Sequence, residues 1–210
     1  MAEMTAFTIE AEVSCTDGFC GTLSRVVVHR RARTVTHLVV NDRQLQGRLV
    51  PLDLVDVDTA TGKIRLRCTI AEFGKLDPAS RTMRLEGSGA DPDIRDQNQW
   101  QFSRSVASTY LGEPPSVTYD TLPSGTVAVR GGEHVHATDG TIGQIQGLVI
   151  DSGSCQVTHV LLQEGHMFGR KIVAIPFGGV TGVNRDGIQL NLTKRQVKDL
   201  PPGWHRSPDE

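Results

Sequence analysis

Cys15-Thr16-Asp17-Gly18-Phe19-Cys20-Gly21 returns 122 residues later as Ala137-Thr138-Asp139-Gly140-Thr141-Ile142-Gly143. At the same offset, Val35-Thr36-His37-Leu38-Val39-Val40 returns as Val157-Thr158-His159-Val160-Leu161-Leu162. Val50-Pro51 corresponds to Ile175-Pro176 at an offset of 125, so the second copy has gained three residues. Ile64-Arg65-Leu66-Arg67-Cys68-Thr69 then corresponds to Ile188-Gln189-Leu190-Asn191-Leu192-Thr193 at an offset of 124. Four blocks in the same order with small drifts mark a duplication of a unit of roughly 70 to 80 residues.

Within each copy the apolar period is two. Ile64, Leu66 and Cys68 alternate with Lys63, Arg65 and Arg67, and Ile188, Leu190 and Leu192 alternate with Gln189 and Asn191. That is the pattern of a strand with one buried and one wet face. Asp17-Gly18 and Asp139-Gly140 read as tight turns, since glycine accepts positive φ without a Cβ clash. Thr69 with Glu72, and Thr193 with Gln196, have the spacing of a capping box opening a short helical stretch. Pro201-Pro202 stops the second one. Each copy therefore reads as about six short strands followed by a short C-terminal helix. Six short strands cannot hide both edges of a flat sheet, so closure into a small β-barrel is expected.

Composition agrees with a mainly β chain and removes several classes. Of 210 residues, 22 are glycine and 10 proline, which favours many turns and short strands over long helices. Lys+Arg 22 against Asp+Glu 24 leaves a net charge of −2, which excludes a polycation or an acidic tail as a description of the whole. The apolar runs, such as Val26-Val27-Val28 and Leu148-Val149-Ile150, fall far short of the ~18 residues a membrane helix needs. The start of the chain has no signal-peptide pattern, so a cytoplasmic protein without membrane insertion is expected. The four cysteines include no C-x-x-C. Cys68 reads as a core hydrophobe, whereas Cys15 and Cys20 could meet across the Asp17-Gly18 turn.

These features divide the chain into a first barrel over 6–77, a linker over 78–118, a second barrel over 119–202 and a tail over 203–210. The linker is rich in turn residues, as in Glu113-Pro114-Pro115-Ser116. Trp100, Phe102, Val106, Tyr110 and Leu111 are spaced for one short helix within it, so the segment is expected to be partly ordered.

The second copy carries a family resemblance. Thr138-Asp139-Gly140, Gly143, Val149-Ile150-Asp151, Val157 to Leu162, Gly165-His166, Phe168-Gly169 and Val173-Ala174-Ile175-Pro176 resemble a PRC-barrel domain. The family is named after the cytoplasmic barrel of the photosynthetic reaction-centre H chain and includes the C-terminal domain of a ribosome-maturation factor. The first copy is more divergent, with His29 where the second has Asp151, Arg31 where it has Gly153, and no Glu164-Gly165-His166 segment. The resemblance implies two tandem PRC-type barrels acting as a binding or scaffolding module, because the family's barrels share no catalytic residues.

Several clusters are candidates for chemistry. Arg25, Arg30, Arg31 and Arg33 place four positive charges in nine residues around a predicted turn, a candidate nucleic-acid contact or a solvated arginine face. The extra residues of the second copy fall in Gln163 to Lys171. There Met167, Phe168, Arg170 and Lys171 could form a partner contact, or Phe168 could fold back and plug the barrel mouth. His134 and His136 have H-x-H metal-ligand spacing, with a third ligand needed from His159 or His166, or they flank an inward Val135 at the surface. His37 and His159 recur at matching positions and read as structural hydrogen-bonders. No nucleophile elbow, Ser-His-Asp order, phosphate loop or dinucleotide fingerprint is present, so no enzyme and no cofactor is expected.

The function expected from the sequence is non-enzymatic protein docking or scaffolding, through a protein partner or other copies of the chain. The alternative is an RNA-processing or ribosome-assembly accessory using the arginine turn. A histidine metal site in the second barrel is a third reading.

Overall fold

The computed structural model describes residues 4–58, 62–84, 116–164, 171–184 and 187–200. Its described residues are mainly strand. The first copy runs β2 (Glu12–Cys15), β3 (Gly18–His29), β4 (Thr34–Asn41), β5 (Gly47–Pro51), β6 (Val55–Val57), β7 (Ile64–Leu66) and helix α1 (Ile70–Phe73). The second runs β11 (His134–Ala137), β12 (Gly140–Asp151), β13 (Val157–Glu164), β14 (Lys171–Pro176), β15 (Val180–Asn184), β16 (Gly187–Leu190) and helix α2 (Lys194–Lys198). A 3₁₀ turn joins β5 to β6 at Leu52–Leu54 and β14 to β15 at Phe177–Gly179.

Both copies build the same sheet. Strand order is β5-β4-β3-β2-β7-β6 in one and β14-β13-β12-β11-β16-β15 in the other. Local chemistry repeats with it. Gly18 and Gly140 hold φ of 142° and 124° at the two Asp-Gly turns, a conformation an L side chain resists. Asp17 and Asp139 accept from the backbone N–H of Ile70 and Lys194 at 2.9 and 2.8 Å, tying each turn to the start of its helix. Thr69 with Glu72 and Thr193 with Gln196 form both bonds of a capping box.

Two short strands lie outside these orders, and they change places. Strand β1 (Met4–Thr8) precedes the first copy but pairs with β12 of the second, Met4 opposite Asp151 and Thr8 opposite Gly147. Strand β10 (Thr126–Arg130) precedes the second copy but pairs with β3 of the first, Thr126 opposite His29 and Arg130 opposite Arg25. Each copy thus lends its leading strand to the other's sheet, in the same register. The copies also meet directly at Thr34 and Gln156, which are equivalent positions and bridge each other. Around them Val35 N–H donates to the Cys155 carbonyl at 2.9 Å and Val157 N–H to the Arg33 carbonyl at 2.8 Å. A pseudo-twofold axis therefore passes through that bridge. Arg33 and Cys155 both hold φ of 56° beside it, a left-handed conformation costing an L residue about 1–2 kcal/mol.

The closed barrels expected from the sequence are not what the ladders show. Among the described residues no pairing joins β5 to β6 or β14 to β15, and each sheet is a seven-stranded open one. The edge hazard is met differently. The long strands β3 and β12 are bent by bulges at matching places, so one half pairs with the copy's own hairpin and the other with the lent strand. The outer edge of β5 is covered by the chain after α1: Leu49 N–H donates to Asp77 at 2.8 Å and Ala79 N–H to Gly47 at 2.9 Å.

One core serves both copies, from Phe7 and Leu23 through Leu38 and Ile64 to Ile145, Leu148, Leu162 and Ile188. Uninterrupted runs such as Val26-Val27-Val28 arise where a sheet is covered on both faces. Val26 and Val28 enter the main core, while Val27 meets Val39, Leu49 and Ala79 on the other side. Both copies lie in one compact unit, residues 1–79 with 122–210, and residues 80–121 make a second. Of that second unit, β8 (Ser80–Arg84) and β9 (Ser116–Asp120) form an antiparallel pair. Trp100, Phe102, Val106, Tyr110 and Leu111 lie outside the described residues.

Candidate functional site

Strand exchange brings residues of both copies around one cavity of about 220 Å³. Val28 of β3 and Val127 and Val129 of the lent strand β10 form one wall, and Leu148 and Ile188 of the second sheet form another. Phe177 and Val180 close the side, and Arg30 and Arg33 stand at the mouth. The Arg33 guanidinium lies 5.4 Å from the Phe177 ring centroid, a cation–π distance. The arginine turn is held by its backbone. Arg30 N–H donates to the Gly125 carbonyl at 3.0 Å, Arg33 N–H to the His29 carbonyl at 2.8 Å, and Ala32 N–H to His29 Nδ1 at 3.1 Å. Arg30, Arg31 and Arg33 are exposed, and no carboxylate among the described residues forms an ion pair with Arg30 or Arg33.

The pseudo-twofold axis produces a second cavity of about 290 Å³ from the equivalent positions. Phe7, Leu52, Val55 and Ile150 line it. Ser152 stands where the first has Arg30, Cys155 where it has Arg33, Leu52 where it has Phe177, and Asp56 where it has Gly182 next to the bulged Thr181. Thr5 and Ser152 share a hydroxyl hydrogen bond of 2.7 Å at this site. The turn is capped by Asp151, whose Oδ1 accepts from Gly153 and Ser154 at 2.8 and 3.0 Å. These bonds hold the Asp151 carboxyl below its usual range. In the first copy His29 Nδ1 does the same work.

The structure splits the four arginines. Arg30, Arg31 and Arg33 share the turn, whereas Arg25 lies five residues back on β3, opposite Arg130 and near Glu133. Glu133 is half-buried, and its Oε2 has no hydrogen-bond partner. Burial pushes its carboxyl pKa up, opposed by a hydrogen bond from the Arg130 backbone and the charges of Arg130 and Arg25. Folding therefore favours protonated Glu133. Its contribution is full below the ordinary carboxylate range and is lost as pH rises through the raised value. Glu133→Gln is accordingly expected to raise the urea midpoint at about pH 7, with the gain shrinking toward about pH 4.

The remaining candidates are placed as follows. Met167, Phe168, Arg170 and His166 lie outside the described residues, and Lys171 opens β14 in register with Glu164. His134 and His136 share a face of β11 with ring centroids 6.3 Å apart, and His136 Nδ1 is 3.2 Å from Thr141 Oγ1. Among the described residues no group of three His, Cys, Asp or Glu side chains is arranged to hold a metal ion. His159 Nδ1 bonds Thr158 Oγ1 at 3.1 Å. His37 Nδ1 is buried without a partner, and burial lowers its pKa.

Cys15 and Cys20 do meet, and Cys68 joins them in one buried group. Burial pushes Cys15 up to about 12 and Cys68 to about 11, and raises Cys20 as well. The second copy has Ala137, Ile142 and Leu192 at these positions, so the three thiols occupy an apolar niche. A disulfide thiol reagent is expected to label one thiol rapidly in the native protein, the part-exposed Cys155, and four after denaturation.

Sequence reasoning missed Phe177, Val127 and Val129. Among the described residues no helix is long and apolar enough to cross a membrane. No family model matches the chain, and no curated protein matches it.

Proposed function

We propose that this chain is a non-enzymatic docking protein of the cytoplasm, made of two PRC-like modules whose sheets stay open and are fused into one pseudo-symmetric pair. The observation that carries this reading is a contrast of faces on an unchanged frame. The Asp-Gly turns, the capping boxes, the bulges of β3 and β12 and the register of the lent strands coincide between the copies, the one difference among the described ladders being an extra bulge at Thr181 in β15, while the charge around the two equivalent cavities is opposite. One side presents Arg30, Arg31 and Arg33, where the other has Ser152, Gly153 and Cys155. The other side presents exposed Asp53 and Asp56, where the first has Gly178 and Gly182. Duplication that keeps the scaffold and diversifies the exposed charge suits recognition of different surfaces, since charge complementarity sets partner choice and encounter rate. The arginine face then docks an acidic surface of a protein partner.

The test is affinity capture from the native host with the full chain and with Arg30→Glu/Arg31→Glu/Arg33→Glu, each with and without RNase. The expected result is a protein retained after RNase, lost with the variant, and bound again at micromolar concentration when both components are purified. Retention of ribosomal proteins that disappear with RNase would replace this reading with the RNA-accessory one. A partner held equally by the variant would contradict the arginine face.

A further inference from the structure

We propose that the arginine-flanked cavity is a binding site for a small organic acid, one carboxylate on a short aliphatic or single-ring body. This inference stands apart from the docking reading and needs no macromolecular partner. Size comes first. A cavity of ~150 Å³ lined by aliphatic side chains accommodates benzene, whereas drug-sized ligands occupy ~300–1,000 Å³. The cavity of about 220 Å³ therefore encloses a ring or a short chain, and is too small to enclose a nucleotide or a long acyl chain.

Lining chemistry comes second. Val127, Phe177 and Val180 offer an apolar body a part-exposed wall with nothing to hydrogen-bond, over a buried floor of Val129, Leu148 and Ile188, and reward its removal from water. The mouth is the opposite. Arg30 and Arg33 present two guanidinium groups whose planar donor forks match a carboxylate, and no described carboxylate neutralises either one. Arg33 is already oriented by the Phe177 ring, and the turn bearing both arginines is fixed by two backbone–backbone hydrogen bonds and one from the Ala32 N–H to His29 Nδ1. Such prior ordering lowers the entropic cost of binding. A dianionic phosphate would meet the same cations but lose hydration against a largely apolar wall, so a monoanion with an apolar body fits better.

The twofold-related cavity serves as an internal control. It has Ser152 and Cys155 for the arginines and Asp56 in place of Gly182. Its charge repels the same ligand.

The experiment is a methyl-detected NMR titration of the full chain with phenylacetate, hexanoate and neutral phenylacetamide. Phenylacetate is expected to bind with a Kd of about 1 mM, which lies within the ligand-efficiency ceiling for about ten heavy atoms. Shifts should concentrate on Val127, Val129 and Leu148, leaving Val55 and Ile150 unmoved. Phenylacetamide should bind at least about tenfold more weakly, because it forfeits the charge-assisted bonds. Arg30→Gln/Arg33→Gln changes only exposed side chains and should keep a native spectrum while losing about tenfold or more in phenylacetate affinity. Val127→Phe, which fills the cavity with both arginines intact, should abolish the shifts. Equal binding of acid and amide, shifts at the Ile150 cavity, unchanged affinity in the arginine variant, or no shift at millimolar phenylacetate would each overturn the proposal.

Discussion

Replacing Phe7 by alanine is expected to lower the unfolding free energy by about 3–5 kcal/mol, the usual range for a buried phenylalanine. Phe7 belongs to β1, a five-residue strand next to the start of the chain, where fraying and tolerance are normal. Yet its side chain is 1% exposed. The reason is exchange: β1 lies against β12, with Phe7 opposite Leu148, and carries its ring into the core shared by both copies. The ring also lines the second cavity, so its removal enlarges an existing void rather than letting the wall collapse. Urea denaturation read by far-UV circular dichroism gives the result. A loss below about 1 kcal/mol would mean β1 is not seated as described.

Gly143→Ala is the second large effect, a loss of about 3 kcal/mol with a lowered urea midpoint and an unchanged slope. Gly143 needs no left-handed backbone; it is constrained by proximity. A Cβ there would run into the Gln163 carbonyl oxygen of the neighbouring strand and come within 3.0 Å of Leu162 Cδ1. Backbone oxygen cannot swing aside as a flexible side chain does, so the β12–β13 ladder must part. Gly21 meets the Asn41 carbonyl in the same way in the first copy, and Gly21→Ala should behave alike. Gly178→Ala is the control, since a Cβ there meets nothing within 4 Å, and it should stay within about 0.5 kcal/mol of the parent.

How much of this was legible in the sequence follows from which interactions are local. Alternation at Ile64 to Cys68, the Asp-Gly turns and both capping boxes are written within a few residues, and the structure contains each of them. The duplication was legible because the frame residues repeat in order. Strand exchange was not, and could not be. Met4 to Thr8 and Thr126 to Arg130 occupy equivalent places before their copies, so either strand fits either sheet in the same register. Only tertiary structure distinguishes lending a strand from keeping it. The expected barrel closure failed for a related reason. Edge protection is a global requirement with several solutions, and here a lent strand and the Asp77–Ala79 cover meet it. The cavity was hidden because its walls come from several strands of both copies. Val127 and Val129 look like ordinary core positions, and Phe177 had no sequence signal beyond facing Leu52 in the repeat.

The arginine cluster shows the limit from the other side. Four arginines in nine residues looked like one patch, but a strand advances about 3.3 Å per residue. Arg25 therefore ends up well away from the turn, beside Arg130 and Glu133. The three that remain together are those the turn geometry joins, and two of them meet the cavity.

The reciprocal exchange of leading strands underlies the shared core, the composite cavity and the contrast of faces. It is tested most directly by cross-strand nuclear Overhauser effects on the full chain. The expected contacts run from Thr5–Thr8 to Gly147–Ile150 and from Thr126–Arg130 to Arg25–His29. Contacts from Thr5–Thr8 to Arg25–His29 would place each strand in its own copy and contradict the exchange.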